Sequence, residues 1–159
     1  MEYRRKAHYV YSCKYHIVFC PKYRRKVLVD GVDERLKEVI QEYASEKGIN
    51  ILGMEVMPDH VHLLLDCPLD MSPIGIVKGI KQTSALKIKR EFPWIRKRIP
   101  CLWTRSAFIA TVGSTSMETV KAYIDNQKGR WTQNGGKAQA QIQSQAKGYD
   151  QNIYRGGQA

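Results

Sequence analysis

Residues Pro58–Cys67, PDHVHLLLDC, set two of the chain's four histidines one residue apart within an apolar run. Successive side chains of an extended strand point to opposite faces, so Val61, Leu63 and Leu65 share one face and His60, His62 and Leu64 the other. At roughly 3.3 Å rise per residue the two histidines lie about 6.6 Å apart along the strand, close enough for two imidazoles to converge on one cation. The pattern predicts a strand with an apolar side that packs on helices and a histidine side that stays open. A blander reading is equally compatible with these ten residues: two half-buried histidines hydrogen-bonded to backbone or to Asp59.

The flanking sequence fits a small mixed fold. Ile49–Met57 reads as a second strand, joined to His60–Cys67 by a tight Pro-Asp turn, which makes a hairpin. Asp33–Lys47 places Leu36, Val39, Ile40 and Tyr43 at helical spacing and stops at Gly48. Tyr9–Cys20, rich in aromatic and β-branched residues and closed by Pro21, reads as a central strand. A second helix runs from about Ser72 towards Phe92, burying Val77, Ile80 and Ile88. A fourth strand lies within CLWTRSAFIATVG (101–113), and a third helix follows, opened by a Thr115/Glu118 capping box and ending at Gly129. The order β-α-β-β-α-β-α is that of an α+β, ferredoxin-like antiparallel sheet with helices on one face and an extra C-terminal helix. RNA-recognition domains share this plan and meet single strands on the open face.

Residues 1–130 form one domain on this reading, and 131–159 a disordered Gln/Gly-rich tail with too few large apolar residues to offset ordering entropy. The formal charge is +11 with 43% apolar residues, and the tail holds only Lys137, Lys147 and Arg155 against Asp150, so the basic character belongs to the domain. Such a surplus favours a polyanionic partner, nucleic acid ahead of an anionic membrane. Arg24, Arg25, Lys26, Lys78, Lys81, Lys89, Arg105 and Arg130 are the candidate phosphate contacts, although a run of charge is commonly just a solvated face. Trp94 and Trp103 are open to either base stacking or core packing. Cys13, Cys20, Cys67 and Cys101 form no C-x-x-C pair and read as reduced core residues. With no apolar run of about 20 residues and no signal-peptide h-region, a cytoplasmic address is expected.

A metal site needs more than H-x-H. In METVKAYIDNQKG (117–129), Tyr123 and Gln127 are four apart and share a helix face, beside an apolar stripe of Met117, Val120 and Ile124 that would dock the helix. Gln127 offers a carbonyl oxygen to a metal, and Tyr123 a phenolic oxygen able to attack phosphorus. Imidazole suits transition ions, whereas an oxygen ligand and phosphate suit Mg²⁺ or Mn²⁺. Each residue alone is ordinary: a helix Tyr is usually a packing residue, and a Gln a solvated one.

Together, PDHVHLLL, LWTRSAFIATVG and YIDNQ, in this order, resemble the single-tyrosine HUH transposases of small bacterial insertion sequences, over roughly residues 9–130. The resemblance implies that His60, His62 and Gln127 hold a divalent ion, Mg²⁺ or Mn²⁺, and that Tyr123 is the nucleophile. It further implies cleavage and rejoining of single-stranded DNA at hairpin-bearing insertion-sequence ends through a 5′-phosphotyrosine. A homodimer with sites completed across subunits is also implied, with Gly113 as a joint for the tyrosine helix. Other readings remain: an HUH endonuclease acting on chromosomal hairpin repeats, a noncatalytic single-strand-binding module, and, disfavoured for want of an H-E-x-x-H or Cys cluster, a zinc hydrolase.

Overall fold

The computed structural model describes residues 3–126, so the 131–159 tail, Gln127 and Arg130 lie outside the described residues. A short ribbon, β1 (Arg4–Lys6) and β2 (Tyr9–Tyr11), precedes the main sheet. That sheet is built from β3 (Lys14–Phe19), β4 (Asn50–Met57), β5 (His60–Asp66) and β6 (Phe108–Thr111), in the spatial order β4-β5-β3-β6 with every neighbouring pair antiparallel. The two central strands are therefore β3 and the histidine strand. This is the α+β, ferredoxin-like order expected from the sequence.

The helices are α1 (Val32–Lys47), α2 (Pro73–Glu91), α3 (Pro93–Arg98) and α4 (Ser114–Asp125). Helix α1 ends at Gly48, whose φ of 68° is left-handed and whose N–H bonds the Ala44 and Ser45 carbonyls, a conformation that costs glycine least. At the start of α2 the Ser72 side chain accepts the Gly75 N–H at 3.0 Å, with Pro73 in the first turn, which satisfies a donor that has no partner inside the helix. The main core gathers Leu36 and Ile40 of α1, Ile76 and Ile80 of α2, and Ile17, Val61, Leu63 and Leu65 of the sheet, all essentially inaccessible. Trp103 belongs to this core: its indole meets Phe19 edge-on at 4.8 Å and donates to Ser84 Oγ at 3.0 Å. Trp94 packs partly buried against it.

Several local expectations are corrected. Tyr9–Cys20 is two strands, broken at Ser12–Cys13, and only the second joins the sheet. Helix α2 has the expected extent, ending before Pro93 because the residue before a proline is pushed out of the helical region, but Pro93 then opens a separate, unanticipated helix, α3. Helix α4 begins at Ser114 with Gly113 as its N-cap, which puts Thr115 inside the helix rather than at the cap position expected for it, and the part expected to run to Gly129 lies beyond the described residues. Gly113 itself is extended at φ −90°, ψ 174°, a conformation open to any residue. All four cysteines are free, but Cys101 is exposed rather than in the core. No helix among the described residues is long and apolar enough to cross a membrane.

The second face of the sheet is not left open. Leu64, Val112 and Ile124 form a small buried cluster there, flanked by Leu52, Val120 and Tyr123, and α4 thereby lies across β4 and β5. Ile124 packs above Leu64 and the side-chain-free Gly53. With so few apolar contacts, α4 should open independently of the main core. Ile124→Ala, a loss of about 2–5 kcal/mol for such a buried truncation, is expected to raise amide exchange in α4 by a factor of about 30 or more, while β3 and β5 amides keep wild-type rates. Equal acceleration in β3 and β5 would show that α4 and the core unfold as one unit.

Candidate active site

The β3–β5 register decides what stands beside the histidines. Val18 pairs with His62 and His16 with Leu64, and paired residues project to the same face. His16, His60, His62 and, from α4, Tyr123 therefore collect on the sheet face opposite the main core. The His60 and His62 rings lie with centroids 4.8 Å apart at 81°, and the Tyr123 ring meets His62 edge-on with centroids 5.6 Å apart. Three of the four expected site residues are thus brought together by the docking of Ile124 beside Leu64. The fourth, Gln127, falls just past the described end of α4.

Each histidine uses Nδ1 for an internal contact. His60 Nδ1 lies 2.6 Å from Asp59 Oδ1, and the other Asp59 oxygen is 3.3 Å from the Arg24 guanidinium. The hydrogen bond from His60, aided by the charge of Arg24, holds the Asp59 carboxyl below its ordinary range. A carboxylate at that distance makes Nδ1 the protonated nitrogen and leaves Nε2 with the lone pair. His62 Nδ1 lies 3.4 Å from His16 Nε2. His62 is buried, and burial, with His60 and His16 beside it, pushes its pKa down to about 3, so its ring is neutral at pH 7. Burial lowers His16 as well.

His62 Nε2 is inaccessible and has no hydrogen-bond partner among the described residues. A buried nitrogen left that way is costly unless something accepts or occupies it. Among the described residues no three His, Cys, Asp or Glu side chains are arranged to hold a metal ion. His16 is accordingly a neighbour of the pair rather than its third ligand. Two imidazoles with Nδ1 engaged and Nε2 remaining fit a divalent ion whose further donors are oxygen atoms.

His16 is the neighbour of the histidine pair that sequence reasoning missed. The signal was present in KYHIVF (14–19): Ile17 and Phe19 are inaccessible, which turns His16 to the histidine side by simple alternation. The candidate phosphate contacts separate on inspection. Arg25, Lys26, Lys78 and Arg105 are exposed. Arg24 is held by Asp59, and the Lys89 ammonium donates to the Pro100 carbonyl at 2.6 Å. Lys81 is half-buried and donates to the carbonyls of Thr104 and Ser106 at 2.8 and 2.7 Å. Its ammonium also lies 5.8 Å from the centre of the Phe19 ring, so it ties α2 to the segment before β6.

The H-x-H strand thus lies at the centre of the sheet, roofed by a helix that sets Tyr123 beside the second histidine. Residues 9–127 match the family model for IS200-like transposases, and the chain belongs to that family. DNA cleavage and strand transfer are the activity class of its members. The chain is 35% identical over 129 residues to ISDra2 transposase TnpA of Deinococcus radiodurans, covering 80% of this chain and 92% of that protein. It is 32% identical over 123 residues to the IS200 transposase of Salmonella typhimurium, covering 76% of this chain and 80% of that one. A crystal structure of a Deinococcus radiodurans transposase superposes with a TM-score of 0.65 at 34% identity, over 78% of this chain and 97% of that one. The REP-associated tyrosine transposase bound to a REP hairpin shares the fold, with a TM-score of 0.59 at 15% identity over 80% and 74% of the two chains.

Burial pulls the Lys81 ammonium down to about 8 from its ordinary 10.5. Lys81→Met strands two carbonyls and is expected to lower stability by about 1–3 kcal/mol at pH 7 in urea unfolding. Between pH 8 and 10.5 the unfolded chain holds a proton on Lys81 that the folded protein has released, so stability rises with pH there. The wild type should therefore gain on Lys81→Met across that window. A constant difference would place the amine in water rather than between the carbonyls.

Proposed function

We propose that this chain is the transposase of an insertion sequence, cleaving and rejoining single-stranded DNA through a covalent bond to Tyr123. The observation that carries the reading is the Tyr123 ring standing 5.6 Å, centroid to centroid, from a buried histidine whose Nε2 has no hydrogen-bond partner among the described residues. A phenol and a lone-pair-bearing imidazole at one spot suit attack on a phosphodiester. In the step proposed, the Tyr123 oxygen forms a bond to phosphorus and the bond to the 3′-oxygen breaks. The segment 3′ of the break is left joined to Tyr123 through its 5′-phosphate, and the proton lost by the phenol is balanced by one gained at the leaving 3′-oxygen. A 3′-hydroxyl then reverses the exchange at such a link, so one phosphodiester replaces another and no external energy source is needed.

His60, His62 and Gln127 would hold Mg²⁺ or Mn²⁺. When bound, the ion polarises the scissile phosphate and neutralises the charge that develops on it. This chain's own contribution is positional: Asp59 and Arg24 orient His60, and Ile124 seats the tyrosine helix. The REP-associated neighbour is bound to a hairpin, and hairpin-bearing DNA is the substrate proposed here, met by the exposed Arg25, Lys26, Lys78 and Arg105 and by Arg130. Relatives at 32–35% identity are transposases of insertion elements, which favours element ends over chromosomal hairpin repeats. A homodimer with exchanged tyrosine helices is part of the proposal.

The test is a denaturing-gel assay for a protein–DNA adduct, using single-stranded hairpin oligonucleotides from the gene's own flanks with Mn²⁺ or Mg²⁺. The wild type is expected to form an adduct that disappears in Tyr123→Phe and on adding chelator, while Tyr123→Phe still binds the DNA. Binding without any adduct from verified flanking ends would reduce the protein to a recognition module.

A further inference from the structure

The two rings of His16 and His62 are within 15° of parallel with centroids 5.7 Å apart, while His16 Nε2 and His62 Nδ1 are 3.4 Å apart. That centroid separation is about as large as the nitrogen separation plus the two ring radii allows. The rings therefore meet edge to edge in a common plane, the arrangement of an in-plane N–H···N hydrogen bond, and not face to face. One proton lies between the two nitrogens, and its owner decides what His62 can do. If His16 Nε2 donates, His62 must carry its own proton on Nε2, a buried N–H with nothing among the described residues to receive it. If His62 Nδ1 donates, Nε2 presents a lone pair to the site beside Tyr123. The second assignment removes the stranded N–H donor, which is the costlier defect in a buried site.

We propose that His16 is a positioning residue that accepts the Nδ1–H of His62 and so locks His62 in the tautomer whose Nε2 lone pair faces the site. The inference rests on the reading of His60 and His62 as metal ligands, and it gives His62 the counterpart of what Asp59 does for His60. The two ligands are thereby oriented differently: His60 by an ionised carboxylate linked to Arg24, His62 by a neutral ring on the neighbouring strand. A carboxylate beside His62 would add a buried charge; an imidazole supplies the acceptor without one. His16 is itself held, its ring meeting Phe108 of β6 edge-on at 5.7 Å, so three adjacent strands fix one tautomer.

The test reads the tautomer directly, by ¹⁵N chemical shifts of the histidine rings in the metal-free protein, and separately the affinity for Mn²⁺ by calorimetry. The wild type is expected to show His62 protonated on Nδ1. His16→Phe keeps a ring against Phe108 but removes the acceptor, so it should release His62 into exchange between tautomers and weaken Mn²⁺ binding by about 10–100-fold. His16→Gln, whose amide oxygen can accept the same proton, should restore both; amide spectra confirm that each variant is folded. A wild-type His62 protonated on Nε2, or a His16→Phe variant with unchanged tautomer and unchanged affinity, overturns the proposal. If the wild type binds no Mn²⁺ while His62 keeps a His16-dependent Nδ1–H, the metal reading falls and the positioning role stands.

Discussion

The antiparallel pairing of β3 with β5 is the constraint on which the rest of the molecule depends. Its register sets Ile17 opposite Leu63, both inaccessible, on the side covered by α1 and α2. The same register sets Val18 opposite His62 and His16 opposite Leu64 on the other side. Because side chains alternate, a slip of β5 by one residue would carry His60 and His62 into the apolar core and expose Leu63 and Leu65. The core thus does more than stabilise the sheet. It specifies which nitrogen atoms meet on the far face, and with what geometry.

Leu64 is the hinge between packing and chemistry. It interrupts the polar side of the strand two residues after His62, and it is there that Ile124 and Val112 close a second, much smaller apolar cluster. One turn of helix cannot place Ile124 over Leu64 without placing Tyr123 near His62, since adjacent residues of a helix lie on adjoining faces. A few apolar side chains therefore carry the whole alignment of the phenol with the imidazole. The modest size of that cluster, compared with the continuous core below the sheet, is in keeping with the exchange of tyrosine helices proposed above.

Much of this architecture was legible from periodicity. The H-x-H strand, its hairpin partner, α1 and α2 each carry an apolar pattern that long-range packing happens to reward, so local and global preferences agree. The misreadings have physical sources. Tyr9–Cys20 is uniformly strand-like in composition, and the break at Ser12–Cys13 carries no Gly or Pro to announce it; the turn of the preceding ribbon even uses Ala7 at a φ of +50°. Helix α3 is a single short segment opening on a proline, too brief for a period to show. The place of His16 beside His62 was only half legible, for a different reason. Alternation gives the face of a residue, but which strand lies alongside is a property of sheet order, and no single strand encodes its neighbour.

Net charge, which first pointed to nucleic acid, is the least transferable part of the reading, because a cation can serve the fold instead of a partner. Arg4 donates to the carbonyls of Asp66 and Gly48, and Lys14 is buried with its ammonium 3.8 Å from Asp66. Arg35 bridges Glu38 and Glu91, and Lys81 and Lys89 hold backbone carbonyls. Arg24 stands closer to the chemistry, yet its role there is exercised through Asp59 and His60. A formal surplus of +11 therefore overstates the charge available to phosphates. What distinguishes a phosphate contact from a structural tie is whether the cationic group ends on a carbonyl or carboxylate of its own chain, and that depends on packing between segments far apart in sequence, such as α2 and the stretch before β6.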